Sequence, residues 1–433
     1  MSLLHELLYE SAMRAPHREA LVGHAGRLDY GSLARAVEQC AAGFVRLGLG
    51  RADRVAIFAE KRFETVIALF GAAAAGGVLV AVNPLLKPPQ VVHILRDCNV
   101  RLLVTSAERL QRLAPALRDC PDLRRLVVLG ARPALAAATR VPIVDWAECC
   151  AAGPGAAHRI IDGDMAAIFY TSGSTGLPKG VVLSHRNLVA GARSVAQYLG
   201  NEAHDRILSA LPLSFDAGFC QLTTAFLAGA SVTLLNYLLP RDLMRTLENE
   251  RITGLTAVPP LWMQLAQLEW PRSAREHLRY LANTGGRMPR ATLERLRAAL
   301  PQTRIYLMYG LTEAFRSTYL PPEELDRRPD SIGKAIPNAE VLVVREDGSP
   351  CNPGEPGELV HRGALVSLGY WNDPQKTAER FRPAPGRPGG LPFEEIAVWS
   401  GDTVRCDEEG FLYFIGRRDE MIKTSGYRVS PSE

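Results

Sequence analysis

The sequence predicts an α/β protein: two doubly wound α/β subdomains followed by a smaller antiparallel β unit. Three observations predict it. From about residue 20 to 320, short apolar runs alternate with segments of helical period, the texture of βαβ units whose parallel sheets are covered by helices. The series starts again after residue 165, which fits two similar layers better than one very wide sheet. After residue 330, in "AEVLVVREDGSPCNPGEPGELVHRG", short strands are separated by Asp-Gly and Pro-Gly turn signals, as antiparallel hairpins require. The boundaries that follow are 1–160 for the first subdomain, 161–325 for the second with its phosphate loop, 326–415 for the β-rich unit and 416–433 for a terminal segment.

In chain order, "RVAIFA", "VLVAVN" and "RLLVTS" read as buried strands, with "RFETVIALFGAAAAG" and "PPQVVHILRD" as helices between them. In the second series "AAIFYTS", "RILSALP" and "SVTLLN" are strands, while "RNLVAGARSVAQYL" and "CQLTTAFLAG" are helices. Residues 382–392, "RPAPGRPGGLP", are the best candidate for a mobile loop.

Composition narrows the function classes. A chain of 433 residues, 47% hydrophobic and 22% charged, is ordinary for a globular enzyme with a large core. No run approaches the roughly 18 uninterrupted apolar residues of a membrane helix. The start, "MSLLHELLYESAMRAPHREA", has Glu and His where a signal peptide needs a basic start and an apolar core. A cytoplasmic protein without stable membrane insertion is the expectation. A net charge of +4, with no basic run or basic-aromatic stripe, argues against nucleic acid. Eight cysteines lie scattered without CxxC spacing, which supports neither a zinc site nor a disulfide frame. Of the 50 basic residues 44 are Arg and six are Lys, the bias of a GC-rich bacterial genome. Single arginines therefore carry little information, and the lysines carry more.

One of those lysines ends a distinctive loop. "AAIFYTSGSTGLPKGVVLSH", residues 166–185, places Thr171, Ser172, Gly173, Ser174, Thr175 and Gly176 directly after an apolar strand. The two glycines permit positive φ and close backbone approach, so successive N–H groups can converge on an anion. The hydroxyls add donors and Lys179 adds a point charge. The spacing is not that of the usual P-loop, because Pro178 precedes Lys179 and "VVL" continues as a strand rather than a helix. A plain Gly/Ser hairpin is the bland alternative, against which the word "TSGSTGLPKG" is very specific.

This loop resembles the signature of the AMP-forming adenylating enzymes, the superfamily of acyl-CoA synthetases, amino-acid adenylation domains and firefly-type luciferases. Further segments follow in that family's order: "NTGGRMP" with Gly285, Gly286 and Arg287, "YGLTEA" with Tyr309, Thr312 and Glu313, "WSGDTV" with Asp402, and "GRRDEMIK" with Arg417 and Asp419. At finer grain, "PLSFDAGFCQLTTAFLAGA" looks most like the AMP-forming acyl-CoA ligases associated with bacterial exosortase A systems. The resemblance implies ATP, Mg²⁺ and CoA or phosphopantetheine as cofactors. It implies a small-molecule carboxylic acid as substrate and an acyl carrier protein as a candidate partner.

Each segment also has a chemical reading. Activating a carboxylate means letting its oxygen attack the α-phosphorus of ATP, chemistry governed by position and charge neutralisation. Glu313, with Thr312 beside it, would offer a hard oxygen ligand for Mg²⁺. Asp402 would accept both ribose hydroxyls. Arg417 would grip ribose or phosphate oxygens, and Tyr309 would stack on adenine. Taken singly these are a surface charge, a turn aspartate and a solvated cation; the order and spacing favour the joint reading.

For the acid pocket, "LPLSFDAG" carries Phe215 and Asp216 where many acyl-CoA synthetases carry a His-bearing aromatic motif. The match is to amino-acid adenylation domains, in which the resemblance implies that the Asp holds the substrate ammonium. A buried carboxylate needs a cationic or hydrogen-bonding partner. Asp216 would select an amine, or it would serve as a helix N-cap. Arg316 also faces this pocket in the reading, and would compete with the amine by pairing with Asp216. The terminal segment resembles the family's hinge, with Asp419 as pivot and Lys423 in the "IKTSGY" loop. The expectation is a large domain that ends just past the hinge, poorly active without the small C-terminal domain. The leading function is formation of an acyl-adenylate and then a thioester; the alternatives are amino-acid adenylation for a carrier protein, and a nucleotide- or acyl-binding module without turnover.

Overall fold

The computed structural model describes residues 2–131, 139–151, 153, 158–171, 178–386, 390, 392–417 and, as backbone strands, 422–424 and 427–429. Among these, two large sheets have parallel centres; the first is antiparallel only at its Gly369–Tyr370 margin, and the second at both margins. The first runs, edge to edge, through Gly369–Tyr370, Lys179–Ser184, Met165–Thr171, Val78–Ala81, Arg54–Phe58, Val100–Ser106, Arg125–Leu129 and Ile143–Asp145. The second runs through Lys334–Ala335, Thr318–Leu320, Arg304–Tyr309, Tyr280–Asn283, Gly254–Ala257, Arg206–Ser209, Ser231–Leu234, Glu19–Gly23 and Gly26–Asp29. A third, antiparallel sheet gathers Ala339–Val344, Pro356–Gly363, Ile396–Cys406, Phe381–Pro383 and Leu412–Arg417. The α/β class and the antiparallel unit after residue 330 are as the sequence predicts.

The sheets do not respect the boundary expected at residue 161. Met165–Thr171 pairs with Val78–Ala81 and so belongs to the first sheet, while Glu19–Gly23 crosses to pair with Ser231–Leu234 of the second. Strand order depends on pairings between distant segments, which local periodicity does not encode. Of the 382–392 stretch, residues 387–389 and 391 lie outside the described residues.

Helices between the large sheets make the core. Phe63–Ala74 is buried from Thr65 onward, as expected for a helix that is apolar on all sides. Phe70 stacks on Phe219 at 5.8 Å and meets Phe226 at 5.1 Å, both on helix Asp216–Ala228. Phe169 of strand Met165–Thr171 touches Phe219 at 5.6 Å. Helix His185–Leu199 starts in a capping box, with Ser184 Oγ accepting from the Asn187 N–H and Asn187 Oδ1 accepting from the Ser184 N–H, and Gly200 ends it at φ +61°.

Three buried histidines make this fold acid-sensitive. Burial holds the imidazoles of His5, His185 and His361 down to about 4, from 6.5. The unfolded chain takes up these protons near pH 6.5 and the folded chain does not, so their contribution to stability is complete above pH 6.5 and is lost as pH falls toward 4. Each can remove up to about 1.4 kcal/mol per pH unit within that window. Urea midpoints are expected to fall steadily from pH 7 to pH 5, where most carboxylates are still ionised, and His361→Gln is expected to flatten the fall. A pH-independent midpoint would show that these rings are not buried neutral.

Candidate functional site

The site is assembled where the third sheet meets the edges of the first two. Asp402, 3% exposed, sits directly across from Arg417 in the antiparallel register of Ile396–Cys406 and Leu412–Arg417. Arg417 Nε lies 3.1 Å from Asp402 Oδ1, and the Tyr309 hydroxyl donates to Asp402 Oδ2. A buried carboxylate with a cation and a hydroxyl beside it is compensated rather than stranded. Gly401 precedes it at φ +68°, and a Cβ there would fall 2.2 Å from Arg380 Nη1. Glycine at this position therefore admits Arg380 beside Asp402. Tyr309, Asp402 and Arg417, three residues singled out in the sequence, are brought together.

A second group forms around Tyr370. Its strand, Gly369–Tyr370, pairs with Val182 and Val181, just past Lys179. The Tyr370 hydroxyl donates to Glu313 Oε1 at 2.6 Å, and Lys179 Nζ lies over the Tyr370 ring, 5.8 Å from its centre. Lys376, on helix Pro374–Arg380, brings its ammonium beside that of Lys179. Burial and this like charge push the Lys179 amine down to about 8. Two adjacent cations with Arg380 nearby make a place that can accept a multiply charged anion. Tyr370, Lys376 and Arg380 are absent from the sequence-derived set. No local pattern ties Tyr370 to Glu313 or Lys376 to Lys179.

The third group surrounds one strained turn. Thr312–Ala314 is a single 3₁₀ turn, and Phe315 follows it at φ +57°, a conformation disfavoured for a bulky residue. Phe315 is fully buried, and its ring fills the space a Cβ at Gly191 would take, with Cδ1 2.3 Å from that position. Arg316 leaves the turn with Nη1 3.2 Å from Asp216 Oδ2 and donating to the Phe315 carbonyl at 2.9 Å. Asp216 is the first residue of helix Asp216–Ala228, and the N-cap is Phe215. The expected N-cap role for Asp216 is thus displaced by one residue; Asp216 Oδ1 accepts from the Ala217 N–H at 2.7 Å instead.

Other sequence-derived residues are placed as follows. Thr171 ends its strand opposite Lys179, while Ser172, Gly173, Ser174, Thr175 and Gly176 lie outside the described residues. Gly285 takes φ +75°, and the Asn283 side chain donates to the Gly286 carbonyl at 2.8 Å, closing a tight turn. Arg287 is engaged at the surface with Asp330, which Arg290 shares. Lys423 lies in a strand, Ile422–Thr424, paired with Tyr427–Val429, and Asp419 lies outside the described residues. Among the described residues no group of three or more His, Cys, Asp or Glu gathers as a metal cluster, and no helix is long and apolar enough to cross a membrane. The cysteines of the chain are free thiols.

Comparison with known proteins bears on this arrangement. The model of the family described as AMP-binding enzyme matches residues 8–371. The chain is 32% identical over 443 residues to the L-proline--[L-prolyl-carrier protein] ligase of Pseudomonas fluorescens, covering 100% of this chain and 83% of that protein. It is 29% identical over 436 residues to bacitracin synthase 1 of Bacillus licheniformis, where it spans 99% of its own length but 8% of the relative's. Among solved structures, VinN is 29% identical with a TM-score of 0.81, covering 96% of this chain and 98% of VinN, and VinN has also been solved with L-aspartate. A Mycobacterium tuberculosis fatty acyl CoA synthetase is 26% identical with a TM-score of 0.81, covering 100% of this chain and 82% of that one.

The seat of Phe315 gives a direct test. Gly191→Ala forces a buried ring to move from a position the strained turn needs, and overpacking of this kind costs roughly 1–3 kcal/mol. Denaturant unfolding is expected to show a lowered midpoint at unchanged slope. A variant as stable as the wild type would mean that the ring yields freely and that the turn is not fixed by it.

Proposed function

Because this chain belongs to the AMP-binding enzyme family, we propose that it is an adenylate-forming ligase that activates a carboxylic acid with ATP and passes it to a pantetheine thiol. The observation that carries this reading is the convergence of Tyr309, Asp402 and Arg417 beside the Lys179–Tyr370–Glu313 group. In this reading an oxygen of the acid attacks the α-phosphorus of ATP, the bond to the pyrophosphate oxygen breaks, and acyl-adenylate and pyrophosphate result. A thiol then attacks the acyl carbon and AMP leaves as the thioester forms.

The chain's residues divide this work. Asp402 accepts the ribose hydroxyls, with Arg417 holding its carboxylate in place. Lys179, Lys376 and Arg380 meet the phosphates, whose charge removes the repulsion between the two ammonium groups. Glu313 suits Mg²⁺, which is commonly held by one or two carboxylates plus substrate phosphates rather than by an all-protein cage; Tyr370 fixes one of its oxygens. Bound there, the ion would supply charge neutralisation at the phosphates. Thr312 stands next to it on the same turn.

The acid, in this reading, carries an amino group that Asp216 receives, and the acceptor is the phosphopantetheine of a carrier protein rather than CoA. The proline–carrier ligase and the VinN complex with L-aspartate support the amine and, in the ligase, the carrier. A plain acid is the second reading, favoured by the Arg316–Asp216 ion pair, which already compensates the carboxylate. The pair uses one guanidinium nitrogen and one oxygen, and the Asp216 side chain keeps 13% of its surface accessible.

Pyrophosphate exchange tests the reaction. Labelled pyrophosphate is expected to enter ATP in the presence of the right acid among proline, aspartate, fatty and aryl acids; no exchange with any of them, in a protein that also fails to bind ATP, would overturn the assignment. Asp402→Ala is expected to weaken AMP binding in calorimetry more than Lys179→Ala does, since AMP keeps the ribose but lacks the phosphates the lysine meets.

The amine reading has its own test. Loss of a charge-assisted hydrogen bond costs about 1.5–3 kcal/mol, so Asp216→Ala is expected to reduce exchange with an amino acid roughly tenfold to a hundredfold while sparing any acid without an amine. Equal loss for both kinds of acid would favour the ion pair as Asp216's purpose.

A further inference from the structure

Lys61 lies between the C-terminal ends of the two large sheets, where ligands of parallel α/β folds bind. It follows strand Arg54–Phe58 of the first sheet and precedes helix Phe63–Ala74. Its Nζ donates to three successive carbonyls of the second sheet's chain: Ser209 at 2.7 Å, Ala210 at 3.0 Å and Leu211 at 3.3 Å. Its backbone is held as well, with the Lys61 N–H donating to Asn236 Oδ1 at 3.1 Å and Asn236 Nδ2 donating to the Lys61 carbonyl at 2.7 Å. One residue thus grips the second sheet just past two neighbouring strands, Arg206–Ser209 and Ser231–Leu234.

Three carbonyls converging on one point suit an ammonium, whose three N–H donors form a tripod; a guanidinium presents a flat fork and cannot meet all three. In a chain with 44 arginines and six lysines, a lysine at this position is informative. The carbonyls also belong to a segment with consequences. Residues 209–211 run directly into Pro212, whose carbonyl would lie 1.9 Å from a Cβ at Gly218, so the segment is pressed against the first turn of helix Asp216–Ala228. The Phe215 N–H donates to that same Pro212 carbonyl at 3.2 Å.

We propose that Lys61 is a positioning residue for the acid pocket: its ammonium fixes the 209–215 segment, and through it the start of the helix that presents Phe215 and Asp216. The inference rests on the reading that places the acid at those two residues, and not on whether the acid carries an amine.

The test uses Lys61→Met, which keeps the length and removes the donors, and Asn236→Ala, which leaves the ammonium but frees the Lys61 backbone. Both are assayed in the full-length protein by pyrophosphate exchange, with the acid that gives the wild type its highest rate, and by hydrogen–deuterium exchange. Lys61→Met is expected to raise KM for the acid about tenfold while leaving KM for ATP within about twofold, the split that marks a loss of binding on one substrate's side. Amides of residues 209–219 are expected to exchange faster, with those of 100–106 unchanged. Asn236→Ala is expected to move the same quantities in the same direction by less, and it carries the test alone if Lys61→Met does not fold. Equal loss on acid and ATP, or faster amide exchange with an unchanged KM for the acid, would overturn the proposal. Failure of Asp216→Ala to discriminate amines would leave these expectations standing, so the two readings fail separately.

Discussion

The site depends on a two-residue edge strand. Gly369–Tyr370 returns from the antiparallel unit to pair with Val182 and Val181 of the first sheet, and its flanks extend the grip: the Leu368 N–H donates to the Val182 carbonyl and the Trp371 N–H to the Gly180 carbonyl, each at 2.8 Å. Beyond it, Trp371 Nε1 and Asn372 Nδ2 both donate to the Asp97 carbonyl, and the Arg54 guanidinium lies over the Trp371 ring at 5.1 Å. So short a strand is not stable through its own ladder; side chains on both sides hold it. What it delivers is Tyr370, whose ring lies under Lys179 and whose hydroxyl satisfies Glu313. Without that hydroxyl a carboxylate at 8% exposure would lose a donor it depends on. A contact between segments far apart in the chain therefore sets the distance between Lys179 and the Glu313 carboxylate.

Much of this was legible in the sequence. Strands such as Arg54–Phe58 and Val100–Ser106 and helices such as His185–Leu199 announce themselves by period, because that signal lies within one element. The continuation of the loop into a strand at Lys179–Ser184 was readable for the same reason. So was the grouping of Tyr309, Asp402 and Arg417, though through motif order rather than geometry. The rest was not readable, since it lives between elements. Nothing local in "LGYWND" says that Tyr370 will meet Glu313, and nothing in "AEKRFE" says that Lys61 will meet three carbonyls of a different sheet. The crossing of Glu19–Gly23 into the second sheet is of the same kind.

Charge is used in two different ways across the molecule. Many of the described arginines make ion pairs that brace the surface or the seams between sheets. Arg328, for example, is buried among Glu324, Asp407 and Glu409 and lies 4.1 Å from the centre of the Phe411 ring. A planar fork with five donors is well matched to such multi-carboxylate seams. Lys334 shares that Phe411 ring, but two other lysines serve otherwise. Lys179 faces a ring and another cation, and Lys61 faces carbonyl oxygens alone. A compact point charge can be set against a dipole or an incoming anion without bringing its own bidentate demand, so the split follows from shape and not from charge.

The strained turn at Thr312–Phe315 shows how the two halves of the proposed reaction are kept in register. Glu313 points from it to the edge of the first sheet, and Arg316 points to the helix that begins at Asp216. One short turn thus touches both the proposed nucleotide side and the proposed acid side. A flexible turn would let those sides drift, and in-line attack on phosphorus tolerates little drift. The structure prevents this by wedging Phe315, at φ +57°, into the gap that Gly191 leaves in helix His185–Leu199. The helix is in turn fixed by its capping box and by Asn187 Nδ2, which donates to the Ala364 and Val366 carbonyls at 2.8 and 2.9 Å. Those carbonyls lie on the segment leading to Tyr370, so the seat of the turn and the edge strand are braced through one asparagine. The strain at Phe315 is held by the same contacts that position Glu313.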